Sequence, residues 1–370
     1  MRVLVLNPGS STLKAAVLVA ESGEVVADDT IEWQAGLEGA AAVVATALER
    51  LPGGTADAVG YRVVHGGSRY TAPSGVDDAL LNAVEELDEL APLHNKRAAS
   101  VMRSAKQLLP DVQHVACFDT AFHADLPEEA KRYPLPAEWV ERWGIRRYGF
   151  HGLSVTWAVR RASELLEGSG EDLALVVAHL GSGCSVTAIN AGRSVDTSMG
   201  FTPYEGLMMG TRAGSVDPGI LLHLAADGVT VEELAGGLGH RAGFAAIAGT
   251  SDVREIERRA AAGDTMARLA IDMFVRRAAA AIAAAATSLP RIDALVFTGG
   301  IGEHSHQIRA GIVGRLGCIG IRADVRDADA DAVLTHGQTS VLVVQAREDR
   351  VIADEVAEWL ASVTNRPGTA

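Results

Sequence analysis

The chain has 370 residues and a formal net charge of −14 at pH 7, which excludes a protein that binds nucleic acid or anionic membranes through a broadly basic surface. This length suits two domains better than one. Because aromatic residues make up only 5% of the sequence, Ala, Val, Leu and Ile must build the hydrophobic cores of an α/β protein.

The first half of the chain predicts a mixed sheet with helices. It opens with a strand hairpin, because apolar runs with β-branched residues flank the turn residues Asn7–Ser11. The predicted strands are Val3–Leu6, Leu13–Val19, Asp57–Val64 and Gln113–Phe118, and the predicted helices are Gly39–Leu51 and Asp77–Leu90.

The second half repeats the opening arrangement of strand, Gly/Ser turn and strand, which suggests an internal duplication. Leu173–His179 and Ser185–Asn190 are predicted strands, and Gly181–Gly183 form the turn between them. A further strand, Ala294–Thr298, leads into a glycine loop at Gly299–Gly302. The remaining predicted elements are a helix at Met266–Ser288, a last strand at Val341–Gln345 and a closing helix at Val351–Val363.

The opening turn, Asn7–Lys14, combines small residues, hydroxyl groups and one cation. Its glycine lets backbone N–H groups approach phosphate oxygens, and Ser10, Thr12 and Lys14 add further donors. It is not a Walker P-loop, because the pattern G-x-x-x-x-G-K-[ST] is missing and a strand, not a helix, follows. Both an ordinary hairpin turn and a phosphate-binding turn remain open.

Two charged residues are associated with apolar strands. Arg62 is inside the predicted strand Asp57–Val64, where a buried guanidinium needs an anion, either an internal acid or a bound carboxylate or phosphate. Asp119 follows the strand Gln113–Phe118, where α/β folds place ligands. It either binds Mg²⁺, orients a nucleophile or caps the next segment.

Three further segments carry charge. Arg146–Gly152 holds two arginines, a histidine and two glycines, which favours an anion site. The stretch from 196 to 215 is rich in Gly, Ser and Thr and has one arginine, Arg212, a candidate for stabilising a transferring phosphoryl group. Glu348 and Asp349 follow the last strand and either hold Mg²⁺ or are solvated loop charges.

The cysteines and the N-terminus indicate a cytoplasmic protein. Cys117, Cys184 and Cys318 are too few and too scattered for a disulfide framework, so we expect free thiols in a reducing compartment. The N-terminus has one charge and a very short apolar run, so we expect no signal peptide. The most apolar helical stretch, Ala278–Ala286, is too short to span a bilayer.

Taken in order, these segments resemble the acetate kinase family over nearly the whole chain. The matching motifs are NPGSSTLK, GYRVVHGG, PLHN, CFDTAFH, RRYGFHG, AHLGSG, DTSMGFTPYEGLMMGTRAGSVDP, SDVR and GGIGE. The resemblance implies an α/β, two-domain actin-like ATPase fold with duplicated ribonuclease-H-like cores and the active site in the interdomain cleft. It places the first domain at 1–121 plus 350–370, and the second, which carries most of the nucleotide site, at 122–349.

The resemblance also implies roles for individual residues. Arg62 and Arg212 bind the carboxyl and transferring phosphoryl groups, and Asp119 is a catalytic residue near the metal. His151 hydrogen-bonds the phosphoryl group, with His94 and His179 contacting phosphates or supporting that cluster. The ligands of Mg²⁺, or of Mn²⁺ in its place, are Asn7 and Glu348. The acyl pocket is formed by Val64, Leu93, Phe150 and Pro203. The residues that bind ATP or ADP are Ser10, Thr12, Lys14, His179, Gly181, Ser182, Gly183, Asp252, Val253, Arg254, Gly300, Ile301, Gly302, Glu303 and His304.

The implied reaction is the reversible, Mg²⁺-dependent transfer of the ATP γ-phosphoryl group to acetate by a homodimeric enzyme. A propionate or butyrate kinase shares this chemistry and is the nearest alternative, and a non-catalytic actin-like ATP-binding module is the alternative from another class. The sequence departs from the family pattern at four positions, which leaves nucleotide preference open. These are Lys96 in place of proline, Ser182 and His304 in place of asparagines, and Val155 in place of histidine.

Overall fold

The computed structural model describes residues 1–9, 12–33, 39–50, 56–91, 94–170, 172–325 and 331–364. The chain divides into two compact units. The first comprises Met1–Ala124, Phe150–Trp157 and Arg347–Ala370, and the second comprises Asp125–Gly149 and Ala158–Ala346. This division differs from the predicted domain limits by three residues at two boundaries, 124 in place of 121 and 347 in place of 350. It also differs in the segment Phe150–Trp157, which packs with the first unit because Leu153 lies in that unit's core.

The first unit is built on a six-stranded mixed sheet with the order β3-β2-β1-β4-β6-β5. The predicted opening hairpin is confirmed, since β1 and β2 pair antiparallel from Arg2 opposite Val19 to Pro8 opposite Leu13. Strands β1, β4 and β6 are parallel neighbours. The strands are β1 (Arg2–Pro8), β2 (Thr12–Val19), β3 (Val25–Glu32), β4 (Ala58–Val63), β5 (Ser74–Gly75) and β6 (Gln113–Phe118).

Helices cover both faces of this first sheet. Successive side chains of a strand point to opposite faces, so Leu4 and Leu6 belong to one buried cluster and Val3 and Val5 to the other. The first cluster includes residues of α1 (Ala40–Arg50), α2 (Asp78–Glu86) and α3 (Asn95–Leu108). The second includes residues of α14 (Glu348–Thr364) and the first turn of α6 (Gly152–Leu165). The strands are therefore buried on both sides.

The second unit repeats the strand order of the first. Its sheet has the strand order β9-β8-β7-β10-β12-β11. Each label is six higher than the label at the same place in the first sheet, β3-β2-β1-β4-β6-β5. The directions also agree, because β7 pairs antiparallel with β8 and parallel with β10, as β1 does with β2 and β4. The predicted internal duplication is therefore confirmed. The strands are β7 (Ala174–Leu180), β8 (Cys184–Asn190), β9 (Arg193–Thr197), β10 (Ala294–Thr298), β11 (Ala332–Thr335) and β12 (Ser340–Val343).

The longest helix of the second unit is α11 (Thr265–Ala286), which begins at the capping residue Asp264 and buries an apolar stripe of alanine, isoleucine and phenylalanine. No helix in the described part of the chain is both long enough and apolar enough to cross a membrane. The remaining helices are α4 (Glu128–Lys131), α5 (Ala137–Trp143), α7 (Pro218–Ala226), α8 (Val231–His240), α9 (Gly243–Ala248), α10 (Val253–Ala261), α12 (Gly299–His304) and α13 (His306–Arg315).

Two predicted loops are helical. Gly299–Gly302 form the first turn of α12, and Glu348 is the first residue of α14. Gly299 has φ +76°, and a Cβ there would lie 2.9 Å from the Leu180 carbonyl oxygen. The glycine therefore lets the chain turn from β10 directly into a helix against the end of β7.

Candidate active site

Three of the predicted site residues lie at one edge of the first sheet. Asn7 is near the end of β1, Arg62 is near the end of β4, and Asp119 directly follows β6. These strands are parallel, so their carboxyl ends meet at the same edge, which is where open α/β sheets bind ligands. Glu348, at the start of α14, joins them there.

Arg62 is the centre of this cluster. Its Nη2 lies 2.6 Å from Asp119 Oδ2, and its Nε donates to the same carboxylate at 3.0 Å. Its Nη1 lies 3.4 Å from Glu348 Oε2 and donates to Asn7 Oδ1 at 3.4 Å. Asn7 Nδ2 in turn donates to Glu348 Oε2 at 3.0 Å. Of the two alternatives left open by the sequence, the internal acidic partner of Arg62 is confirmed.

Asp119 is fully buried between two donors. Burial raises the pKa of its carboxyl group above the ordinary value, the Arg62 guanidinium opposes this rise, and the negative charge of Glu348 adds to it. The Leu153 N–H, in the first turn of α6, also donates to this carboxylate. Asp119 therefore caps α6 rather than the 3-10 turn that follows it in sequence, which begins after Thr120 without a side-chain cap.

His151 precedes α6 in a strained backbone conformation. Its φ is +60°, in the left-handed region that residues other than glycine rarely adopt. The next residue, Gly152, donates its N–H to the Asp119 carbonyl oxygen at 2.9 Å, and a Cβ there would lie 2.2 Å from that oxygen. This contact fixes Gly152, the residue directly after His151, against the main chain of Asp119. Strain of this kind is typical of functional sites.

Two predicted acyl-pocket residues are nearly buried in the first unit. Val64 follows β4 with an exposed fraction of 8%, and Phe150 precedes His151 with 1%. Pro203 is buried in the second unit, and Leu93 lies outside the described residues. His94 is the N-cap residue of α3, without a side-chain capping bond, and its predicted phosphate contact stays a prediction.

The predicted phosphate turn Asn7–Lys14 is described only in part. Gly9 N–H donates to the Thr12 carbonyl oxygen at 2.7 Å, and Lys14 pairs with Asn7 across the hairpin. Ser10 lies outside the described residues. The structure therefore confirms the strand pairing on either side of the turn, while the contacts of Thr12 and Lys14 with phosphate stay predictions.

In the second unit, several predicted nucleotide residues lie together. Gly181 N–H donates to the Gly183 carbonyl oxygen at 3.0 Å in the turn between β7 and β8. A Cβ on Gly181 would lie 3.5 Å from His179 Nε2 and 4.0 Å from the Gly300 nitrogen. Ser182 accepts a hydrogen bond from Gly210 N–H through its carbonyl oxygen at 3.2 Å. The β7–β8 turn and the start of α12, which carries Gly300, Ile301 and Gly302, thus form one glycine-lined surface.

Other predicted nucleotide residues have local structural roles. Asp252 caps α10 by accepting from the Arg254 N–H at 3.0 Å, and the two side chains form an exposed ion pair, with Val253 as the first residue of the helix. Glu303 Oε1 accepts from the Ala346 N–H at 3.0 Å, and His304 is 74% exposed. Their contacts with a nucleotide stay predictions.

Arg212 has a different environment from Arg62. It is partly buried, and its Nη1 donates to the Pro203 carbonyl oxygen at 3.2 Å, which brings two predicted site residues together. Burial lowers the pKa of this guanidinium, and no carboxylate among the residues that the structure describes forms an ion pair with it. A partly buried cation without an acidic partner is suited to receive an anionic ligand.

The oxygen donors near Arg62 fit a magnesium ion. The described ranges contain no group of three or more His, Cys, Asp or Glu side chains placed to hold a metal. Mg²⁺, however, commonly uses only one or two carboxylates together with substrate phosphates and water. Asn7 Oδ1 and the Glu348 carboxylate are hard oxygen donors, and two acids around one arginine leave an excess negative charge.

Sequence reasoning missed one ionic cluster in the second unit. Arg147, which the sequence placed in an anion site, donates to Glu205 Oε1 at 3.1 Å, and the Tyr133 hydroxyl donates to Glu205 Oε2. The anion that Arg147 meets in the structure is therefore an internal acid, 58 residues away along the chain. The Phe201 N–H donates to the Tyr133 hydroxyl at 3.1 Å, so this cluster supports the chain just before Pro203.

Comparison with known proteins gives a consistent match. The model of the acetokinase family matches residues 53–354. An acetate kinase of Synechococcus is 42% identical, covering 95% of this chain and 98% of its own length. The crystal structure of Porphyromonas gingivalis acetate kinase has a TM-score of 0.87 at 32% identity, covering 97% and 99% of the two chains. A propionate kinase from Francisella tularensis has a TM-score of 0.85 at 32% identity, covering 96% and 98%.

Proposed function

This chain belongs to the acetokinase family and has its two-domain actin-like ATPase fold, and on that premise we propose that it is an acetate kinase. The reaction is the reversible transfer of the γ-phosphoryl group of ATP to acetate, which gives acetyl phosphate and ADP. The observation that supports it best is the cluster at the carboxyl edge of the first sheet, where Arg62 is held by Asp119 beside Glu348 and Asn7.

The bond changes are simple. A carboxylate oxygen of acetate forms a bond with the γ-phosphorus, and the bond from that phosphorus to the β–γ bridging oxygen breaks, with its electrons leaving on ADP. Acetate is already ionised at neutral pH, so no general base is needed. Asp119 therefore orients Arg62 and does not accept a proton.

The main obstacle to this reaction is the repulsion between two anions. Arg62 and Arg212 supply positive charge to the carboxylate and to the phosphoryl oxygens, and His151 donates a hydrogen bond to the phosphoryl group. Because Arg62 is already oriented by Asp119, its charge is in place before the transition state forms.

We assign the magnesium ion to Asn7 and Glu348. When bound with the nucleotide, Mg²⁺ supplies charge neutralisation at the β- and γ-phosphate oxygens. Asn7 is held ready for this role, because its amide contacts both Glu348 and Arg62. ATP is assigned to the glycine-lined surface of the second unit, with Thr12 and Lys14 as phosphate-side support.

Propionate kinase is the second candidate, because the Francisella tularensis propionate kinase matches this chain as well in structure as the acetate kinase does. The two activities differ by one methylene group, which a hydrophobic pocket separates by only roughly 1–3 kcal/mol. Val64 and Pro203 at the predicted pocket positions favour a small pocket and therefore acetate.

The test is an acyl-phosphate assay with ATP and Mg²⁺ that compares acetate, propionate and butyrate. We expect acyl phosphate from acetate with the highest kcat/KM, and no product when Mg²⁺ is chelated. Product from propionate or butyrate alone would replace the substrate assignment. No acyl phosphate from any of the three acids would instead favour a non-catalytic ATP-binding module.

We also propose that the protein is a homodimer. Helix α7 and the start of α8 in the second unit expose large apolar side chains to solvent, with exposed fractions of 51% at Ile220, 73% at Leu222 and 82% at Val231. A soluble monomer rarely leaves such a patch uncovered. A second copy that presents the same helix covers it by two-fold symmetry. The cytoplasmic location stays a prediction from the sequence.

A further inference from the structure

A buried histidine next to the predicted acyl pocket has no role in the proposed reaction. His65 follows Val64 and has an exposed fraction of 0%. Its main-chain N–H donates to Asn95 Oδ1 at 3.2 Å, and Asn95 Nδ2 donates to its carbonyl oxygen at 2.9 Å. Asn95, also fully buried, donates to the Val84 carbonyl oxygen as well. This reciprocal pair fixes the main chain of His65 at both polar groups.

The side chain of His65 is fixed as well. The Gly67 N–H donates to His65 Nδ1 at 2.9 Å, so this nitrogen carries no proton and the neutral ring holds its proton on Nε2. The Gly66 N–H donates to Thr120 Oγ1 at 3.1 Å. The short loop after β4 is therefore held on both sides, and the imidazole has one orientation.

The imidazole ring packs edge to face against Phe150. The two ring centroids lie 5.4 Å apart with an angle of 74° between the ring planes. The Phe150 carbonyl oxygen accepts a hydrogen bond from His123 Nε2 at 3.0 Å, which holds the main chain of Phe150 from another side. The Phe150 ring thus packs on an imidazole ring that is itself hydrogen-bonded to the loop after β4.

We propose that His65 is a positioning residue that sets the acyl-chain specificity of the enzyme. It follows Val64 directly in the chain and packs on Phe150, the two predicted pocket residues that belong to the first unit. Loss of the imidazole ring leaves a space that the Phe150 ring can enter, and the pocket becomes deeper for a longer acyl chain. This inference rests on the proposed function, because it assigns the pocket to the acyl group.

Two substitutions separate the ring contact from the loop hydrogen bond. His65→Asn keeps an acceptor within reach of the Gly67 N–H but removes the ring, and His65→Phe keeps a ring but removes the acceptor. In His65→Asn we expect the ratio of kcat/KM for propionate to that for acetate to rise about tenfold, the lower end of what one methylene is worth in a pocket. The rise in this ratio should come from the KM values. The kcat for acetate should stay within about threefold of the wild type, because Arg62 and Arg212 are unchanged.

A rescue variant and a control variant separate the loss of the ring contact from a general loss of stability. His65→Phe should retain the wild-type ratio within about threefold, at a lower melting temperature because the Gly67 N–H loses its partner. His114→Asn is the matched control, since His114 is a buried histidine near the amino end of β6, hydrogen-bonded to Tyr61. It should lower stability without changing the ratio.

Three results would overturn the proposal. They are an unchanged ratio in a folded His65→Asn protein, an equal loss of activity towards all three acids, and a relaxed ratio in His65→Phe. Absence of acyl phosphate with the wild-type protein overturns the proposed function, and this inference with it. That outcome is distinct, because it is observed before any variant is made.

Discussion

The two arginines assigned to catalysis differ in what already balances their charge. Arg62 is bound by Asp119 and Glu348, whereas Arg212 contacts the Pro203 carbonyl oxygen and no acid among the described residues. The sequence identified both arginines from their motifs. It did not separate them, because the partners of Arg62 lie in distant parts of the chain, 57 residues away in the case of Asp119.

Replacement of Arg212 should therefore remove activity without unfolding the protein. In Arg212→Ala we expect kcat to fall by roughly 10³-fold or more, as for other arginines that stabilise a transferring phosphoryl group. No acid is left unpaired by this change, so the melting temperature should stay close to that of the wild type. Steady-state kinetics and thermal unfolding measure the two effects.

Arg277→Ala is the matched control for this variant. Arg277 Nη1 donates to the carbonyl oxygens of Ala213 and Ser215, in the same segment as Arg212. If Arg212 acts through its charge on the substrate, Arg277→Ala should lower kcat by less than about tenfold, since it removes only local hydrogen bonds. Equal losses of kcat in the two variants would show that the effect comes from displacement of the segment that carries Arg212, and not from the charge of Arg212.

At the scale of elements, the sequence predicted the central strands of both sheets and four helices, and it missed the outer strands β3, β9 and β11 and several helices, among them α3 and α6. β1 and β6 each contain a short apolar run, Val3–Leu6 and Val115–Phe118, and α11 has a buried apolar stripe, so local patterns indicate these elements. The helical start of Gly299–Gly302 and the cap that Asp119 gives to α6 were not predicted. Both depend on contacts with distant segments, at the end of β7 and at the end of β6.

The contact between the segment after β6 and the residues before α6 predicts a pH dependence of stability. His123 is fully buried, burial lowers its pKa from 6.5 to about 4, and the hydrogen bond to Phe150 opposes this shift. Between pH 6.5 and 4 the unfolded chain binds a proton that the folded protein does not. Stability from this group is therefore complete above pH 6.5 and is lost as the pH falls towards 4, by roughly 3 kcal/mol in total.

Urea unfolding between pH 4.5 and 7.5 measures this effect. In His123→Gln, which keeps a donor for the Phe150 carbonyl oxygen, the free energy of unfolding should fall less steeply with decreasing pH than in the wild type. His304→Gln is the control, because His304 is 74% exposed and loses little solvent on folding. A slope in His123→Gln equal to that of the wild type would show that His123 is not the group responsible.

At the scale of the whole molecule, the two sheets have the same strand order and the same strand directions. The sequence suggested this duplication only from two similar turns, Asn7–Ser11 and Gly181–Gly183. It did not predict which strands pair, because neighbours such as β1 and β4 are joined by tens of residues. The family resemblance supplied the fold class that local patterns alone left open.

The exposed helix α7 provides the last prediction, which concerns the assembly. Leu222 is 73% exposed on an apolar helix, and a two-fold interface would bring the two copies of α7 close together. In Leu222→Glu, two like charges and lost apolar contact should convert the proposed dimer, twice 38.6 kDa, to a monomer in sedimentation experiments. Leu108→Glu, at a 45% exposed leucine in the first unit, is the control and should stay dimeric. A wild-type protein that sediments as a monomer at micromolar concentration would contradict the proposed dimer and leave the exposed apolar face of α7 to another partner.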